Sequence, residues 1–180
     1  KVVIADGCAG LVARLYIGYN DFSGSMLLLG AFMYAVQIYC DFSGYSDMAI
    51  GVGKVLGIRL RKNFDYPYFA TNISDFWRRW HMSLTTWFRD YVYIPLGGSR
   101  CILPRVILNT WIVFLLSGLW HGAAWTFIAW GALHAALISL FILWKRTGLK
   151  LTGVVGWMLT MIGVVLAWVF FRAPSFEVAL

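Results

Sequence analysis

Apolar and polar positions along this chain fall into long blocks. Phe22 to Cys40 is a run of 19 residues without a charge, bounded by Asp21 and Asp41. A second run, 151–171, opens after Lys150 and closes on Arg172. Each is near the ~20 residues with which a helix crosses a ~30 Å hydrocarbon core. The pattern therefore predicts spans over 22–40 and 151–171. Between them, 106–144 contains 39 residues and no Asp, Glu, Lys or Arg. As one helix it would measure about 58 Å, too long for a single crossing. It must reverse or break, and Ser117-Gly118…Gly122 is its weakest point, since glycine costs a helix ~1 kcal/mol against alanine. Two pieces broken near 117–122 are expected, with His121 at the discontinuity as a turn or a re-entrant bend.

Composition turns these runs into a class. The chain is 61% hydrophobic and only 13% charged, against ~45–50% and ~25% in soluble domains, so it is read as an all-α integral membrane protein. It begins on Lys1 with no leader and stops without a tail, which suits an internal fragment of a larger chain. No internal repeat or low-complexity linker divides it, and 1–180 is expected to be part of a single membrane domain. Cys8, Cys40 and Cys101 are odd in number and form no CxxC pair, so they suggest neither a disulfide framework nor a zinc site.

The segment 54–105 carries most of the charge. Nine cations (Lys54, Arg59, Arg61, Lys62, Arg78, Arg79, Arg89, Arg100, Arg105) face Asp65, Asp75 and Asp90, a net +6 of the chain's +7. By the Lys/Arg loop bias this segment is expected on the cytoplasmic side. The same bias explains the basic excess without nucleic acid, which is not expected as a partner. Within it, Ser74 to Tyr91 predicts one amphipathic helix. Trp77, Trp80, Leu84, Trp87, Phe88 and Tyr91 recur at helical spacing, and Arg78, Arg79 and Arg89 gather opposite. Asn72 or Ser74 would cap it. Such a helix can lie at a membrane interface among lipid headgroups, with His81 on its apolar stripe. Pro95 and Gly97-Gly98 then predict a stop and a tight turn.

Two glycine patterns are decoys. Gly51-Val-Gly53-Lys-Val-Leu-Gly57 has Met48 where a P-loop needs its first glycine and Val55 where it needs Ser or Thr, and Leu56 fails the dinucleotide fingerprint. Gly44, Gly51, Gly53 and Gly57 are read as small residues for close helix packing. Asn72-Ile-Ser74 is a formal sequon but would be silent on a cytoplasmic face.

The candidate chemistry rests on histidine. An imidazole within an apolar membrane domain is either functional or hydrogen-bonded into the packing. For His121 a helix end offers unpaired backbone N–H groups, and neutral imidazole is a natural general base near pH 7. His81 is either a second inward histidine or an interface residue. His134, thirteen positions beyond His121, falls ~220° around an ideal helix and is expected to face elsewhere. Asp41 and Asp47 flank a polar interruption after the first span, either lining a cavity or marking the aqueous boundary. Trp120 and Trp125, on either side of His121, are further cavity-lining candidates. Three isolated histidines make no metal site.

The blocks QIYCDFSGYSDMAIG (37–51), FWRRWHMSLTTWFRDYVYIPLGGSR (76–100) and SGLWHGAAWTFIAWGALHA (117–135) together resemble the membrane-bound O-acyltransferase (MBOAT) family, in its alginate O-acetylation branch. The resemblance covers nearly the whole chain. It implies a multi-helix bundle around a tunnel in a bacterial inner membrane, with no bound cofactor and an acyl-CoA or acyl-carrier thioester as donor. It assigns catalysis to His121, with His81 as the second histidine. Arg78, Arg79 and Arg89 would then suit donor phosphates, or else serve as lipid-facing anchors. The acceptor implied is an exported polysaccharide, and a periplasmic acetyltransferase partner would finish the transfer. D-alanyl transfer to a teichoic-acid-type polymer is the alternative within the family. A transporter using His121 in its pathway and a non-catalytic scaffold are the alternatives outside it.

Overall fold

A computed structural model describes residues 1–180, all of them helix or connecting loop. Helix α1 (Val2–Ile17) lies antiparallel on α2 (Gly24–Val55), with Lys1 Nζ on Asp47 at 2.7 Å near one end and Leu15 against Gly30 near the other. Short helices α3 (Ile73–Arg79) and α4 (Met82–Phe88) follow, then a π-helical turn over Arg89–Tyr93. Helices α5 (Leu103–His121), α6 (Trp125–Arg146) and α7 (Gly153–Arg172) are joined by short loops, and α8 (Phe176–Ala179) ends the chain. Four helices, α2, α5, α6 and α7, are long and apolar enough to cross a membrane, matching the number of expected spans.

The first span runs further than its charge-free run. Asp41 was expected to end it, with a polar interruption to Asp47, but α2 continues unbroken to Val55. Its polar residues divide by face. Ser43 and Ser46 are buried against the protein, whereas Asp41, Tyr45 and Asp47 point outward. Nothing in the segment breaks a helix, and at ~1.5 Å per residue α2 is about 48 Å long, well beyond a hydrocarbon core.

Helices α5 and α6 form a hairpin locked by two glycines. A Cβ on Gly118 would land on the carbonyl oxygen of Phe127, and one on Gly131 on the carbonyl of Phe114. This is the small-residue contact of membrane helices, in which backbones approach because no side chain intervenes. The glycines singled out in the sequence behave differently. Gly44 and Gly53 do pack closely, but Gly51 faces open space and Gly57 (φ +74°) makes a turn. Gly97 and Gly98 (φ +104° and +56°) form the expected turn after the basic segment.

The expected single helix over 74–91 is broken. Asn72 caps α3 by accepting from the Asp75 amide at 2.8 Å, as foreseen, but α3 stops at Arg79. Trp80 is extended and His81 left-handed at φ 42°, a conformation found mostly in turns for residues other than glycine. The cause is tertiary. Asn63 takes the Met82 amide on its carbonyl at 2.9 Å, and its Oδ1 accepts from the Ser83 amide and hydroxyl at 3.0 and 2.9 Å. Nearby, the Asp65 amide donates to the Arg79 carbonyl at 2.9 Å. The extended segment before α3 thus clasps the α3–α4 junction. Phe76 and Trp80 are buried in the main core with Trp130, Val164 and Trp168, while Trp87 and Tyr91 remain exposed.

Candidate active site

His121 is the last residue of α5, and the break falls just after it, over Gly122–Ala124. Its half-buried ring sits edge-on to Trp120, Trp130 and Phe171, with centroids 4.9, 5.1 and 4.9 Å away. No protein group hydrogen-bonds either nitrogen, and neither is sealed off from the surroundings. The aromatic cage fixes the imidazole plane and leaves its nitrogens available. One expectation needs correcting. His121 stands at the carbonyl end of α5, so the unpaired N–H groups at this break belong to the start of α6, at Trp125 and Thr126.

His81 occupies the α3–α4 junction, with the Phe42 ring 4.6 Å away edge-on. Burial, with a smaller repulsion from neighbouring His121, pushes its pKa down to about 4. It is therefore neutral at physiological pH. Trp80, the residue before His81, packs on Trp168, whose ring also meets Trp130 and Phe171 of the His121 cage, so the two histidines border one aromatic cluster although they lie on different elements and 40 positions apart.

His134 does not face elsewhere. It is fully buried one ring away from His121, because Trp130 lies between them, 5.0 Å from His134 and 5.1 Å from His121. The Trp77 indole N–H donates to His134 Nδ1 at 3.3 Å, which places the imidazole proton on Nε2, where it has no partner. Removing the acceptor would leave the indole N–H unsatisfied as well, at a cost of ~1–3 kcal/mol. His134→Leu in the full-length protein is therefore expected to lower the thermal unfolding midpoint in detergent. An unchanged midpoint would make this bond incidental.

A cavity of about 640 Å³ opens beside this cluster, between α3–α4 and the α5–α6 hairpin. Trp77, Phe88, Phe114 and Phe141 wall it, Ser117 lies on it, and Arg78, Arg89, Lys145 and Arg146 supply four cations and no acid. Arg78 and Arg89 were expected together near a donor. Arg79 does not line this cavity and pairs its Nε with Asp75 at 2.9 Å, whereas Arg89 lines it while its Nε pairs with Asp90 at 2.8 Å. Lys145 and Arg146 were not among the expected site residues, and nothing in their spacing links them to Arg78. The partition between cavity and His121 is two rings thick, Trp77 and then Trp130, whose centroids are 5.8 Å apart. Asp41, Trp120 and Trp125 are exposed and do not line this cavity, and Asp47 is taken up by Lys1. No cluster of potential metal ligands exists.

The model of the membrane-bound O-acyltransferase family matches residues 15–180. The chain belongs to that family. Among curated proteins, the probable alginate O-acetylase AlgI of Pseudomonas aeruginosa is 44% identical over 180 residues, covering 99% of this chain and 34% of its own length. The peptidoglycan O-acetyltransferase of Helicobacter pylori is 44% identical over 184 residues, covering 100% and 35%. The teichoic acid D-alanyltransferase of Bacillus subtilis is 35% identical over 141 residues, covering 74% and 35%. The chain thus spans about a third of the length of these relatives. Family membership and four apolar helices make this MBOAT chain part of a multi-pass membrane protein.

Proposed function

We propose that the protein containing this chain is an O-acyltransferase that moves an acetyl group from a thioester donor toward hydroxyls of an exported polysaccharide, with His121 as general base. The observation that carries this reading is the His121 imidazole, held in an aromatic cage with both nitrogens free of protein bonds and with His81 bordering the same aromatic cluster. The acceptor oxygen attacks the thioester carbon while His121 takes its proton. The amides at the start of α6 stabilise the oxyanion that forms. Collapse of this intermediate breaks the carbon–sulfur bond, and the imidazolium returns the proton to the departing thiolate. Neutral His81 orients the reacting groups.

The donor is an acyl-CoA or an acyl-carrier thioester, approaching from the basic, cytoplasmic side of a bacterial inner membrane. Its phosphates suit Arg78, Arg89, Lys145 and Arg146, and its acyl end reaches His121 once the Trp77–Trp130 partition turns aside. A periplasmic acetyltransferase partner completes delivery to the polymer. Identity to an alginate O-acetylase and a peptidoglycan O-acetyltransferase supports the acetyl and glycan assignments. Similarity to a D-alanyltransferase supports the alternative of D-alanyl transfer to a teichoic-acid-type polymer.

The test is to delete the full-length gene in its own cell and restore it, counting acetyl esters on exported polysaccharide and D-alanyl esters on surface polymers. Acetyl loss and recovery is expected. D-alanyl loss would give the alternative, and no ester change would sink both. A narrower prediction concerns the cavity. A charge-assisted phosphate contact contributes ~1.5–3 kcal/mol, so losing even one in Arg78→Gln with Arg89→Gln should raise the donor KM roughly tenfold or more with little change in kcat. Arg79→Gln should leave the donor KM unchanged, since that side chain lies outside the cavity.

A further inference from the structure

A second cavity, of about 930 Å³, lies where α6 ends and α7 begins. Its apolar half is built from Leu137, Leu140 and Leu159, on two helices able to cross a membrane, with Leu140 and Leu159 largely exposed. Its polar half is the Thr147–Thr152 connection with Lys145 and Lys150, and none of its wall residues is acidic. Thr152 Oγ1 accepts from the Val155 amide at 3.3 Å, which leaves its own O–H to donate. The amides of Gly153 and Val154, the first two of a 20-residue helix, have no backbone partner and open at the same end. Trp144 stands at the junction of the two halves, the level at which Trp is enriched in membrane proteins.

We infer that this groove binds an anionic phospholipid, its phosphate between Lys145, Lys150 and the start of α7, its acyl chains along Leu140 and Leu159. Charge selects the headgroup. Two cations and a helix N-terminus with no acid among them favour a lipid with net negative charge over a zwitterionic one. Shape selects a lipid over a soluble phosphate, because half of the groove is hydrocarbon wall continuous with two membrane-spanning faces. The site is distinct from the cavity beside His121 but shares two of its walls, Phe141 and Lys145. A lipid seated here backs the donor cavity and fixes the direction of Lys145.

The test uses the full-length protein, purified in mild detergent, exposed to equal amounts of phosphatidylglycerol and phosphatidylcholine, then delipidated and analysed by native mass spectrometry. The wild type is expected to keep phosphatidylglycerol and release phosphatidylcholine. Lys150→Glu reverses a headgroup charge and does not touch the donor cavity, so retention should fall about tenfold. Leu140→Trp, which fills the apolar half from an exposed position, should lower it as well. Equal retention of the two lipids, or retention indifferent to both variants, would overturn the inference. So would no retention at all, as when the rest of the chain fills the groove, or equal displacement of the lipid by inorganic phosphate. If a variant fails to fold, the wild-type comparison of the two lipids still decides. The readout is bound lipid, so its outcome does not depend on which ester the enzyme makes.

Discussion

His121→Ala in the full-length protein is expected to abolish acetylation of the exported polysaccharide while its membrane abundance stays near that of the wild type. A positioned general base contributes roughly 10²–10⁴-fold to rate, which would bring acetyl content below detection in the cell. Folding should survive because the ring is only half-buried and makes no protein hydrogen bond, so its loss orphans no polar partner. What it gives up is edge contact with Trp120, which is largely exposed, and with Trp130 and Phe171, which other rings hold in place. The decisive measurement is esters per sugar against quantified protein in the membrane. Full acetylation at normal abundance would reduce His121 to packing and reopen the transporter and scaffold readings. A parallel fall in both quantities would place the defect in folding.

The second large effect is expected from Gly131→Val, which should cut the amount of folded protein recovered from membranes by roughly tenfold or more. Any Cβ there meets the Phe114 carbonyl, a backbone atom that cannot rotate away, and α5 and α6 must part to admit it. Overpacking of this kind costs ~1–3 kcal/mol even where side chains can adjust, and here they cannot. Gly51→Ala is the control, since a Cβ at Gly51 meets nothing within 4 Å and alanine is the better helix former. Recovery by fluorescence-detected size exclusion should separate the two. Equal recovery would mean that the helix hairpin tolerates separation.

The charge-free runs made four spans legible, since length and lack of charge are local properties. The end of α2 was not. Asp41 and Asp47 look like an aqueous boundary in one dimension, but both stay exposed on a helix that continues, Asp47 paired to Lys1, while Ser43 and Ser46 are buried. The break at His81 was hidden for a different reason. Its neighbours keep helical spacing on both sides, and the group that stabilises the kink, Asn63, lies about 20 residues upstream. His134 was misplaced because the ~220° angle assumes one continuous helix. The chain reverses after His121, so the two imidazoles come from antiparallel helices and meet across Trp130. The basic cavity was half visible: Arg78 and Arg89 share a face, but Lys145 and Arg146 join them only in the folded chain. Sequence could name His121 and His81, and only folding could set them on one aromatic cluster.

The glycine contacts at Gly118 and Gly131 have a mechanical corollary. Joined backbone to backbone at two levels, α5 and α6 behave as one stiff mast with His121 at its tip. A mast of this kind does not bend to meet a substrate. The imidazole therefore keeps a fixed place, and the reacting groups must be carried to it rather than met by it.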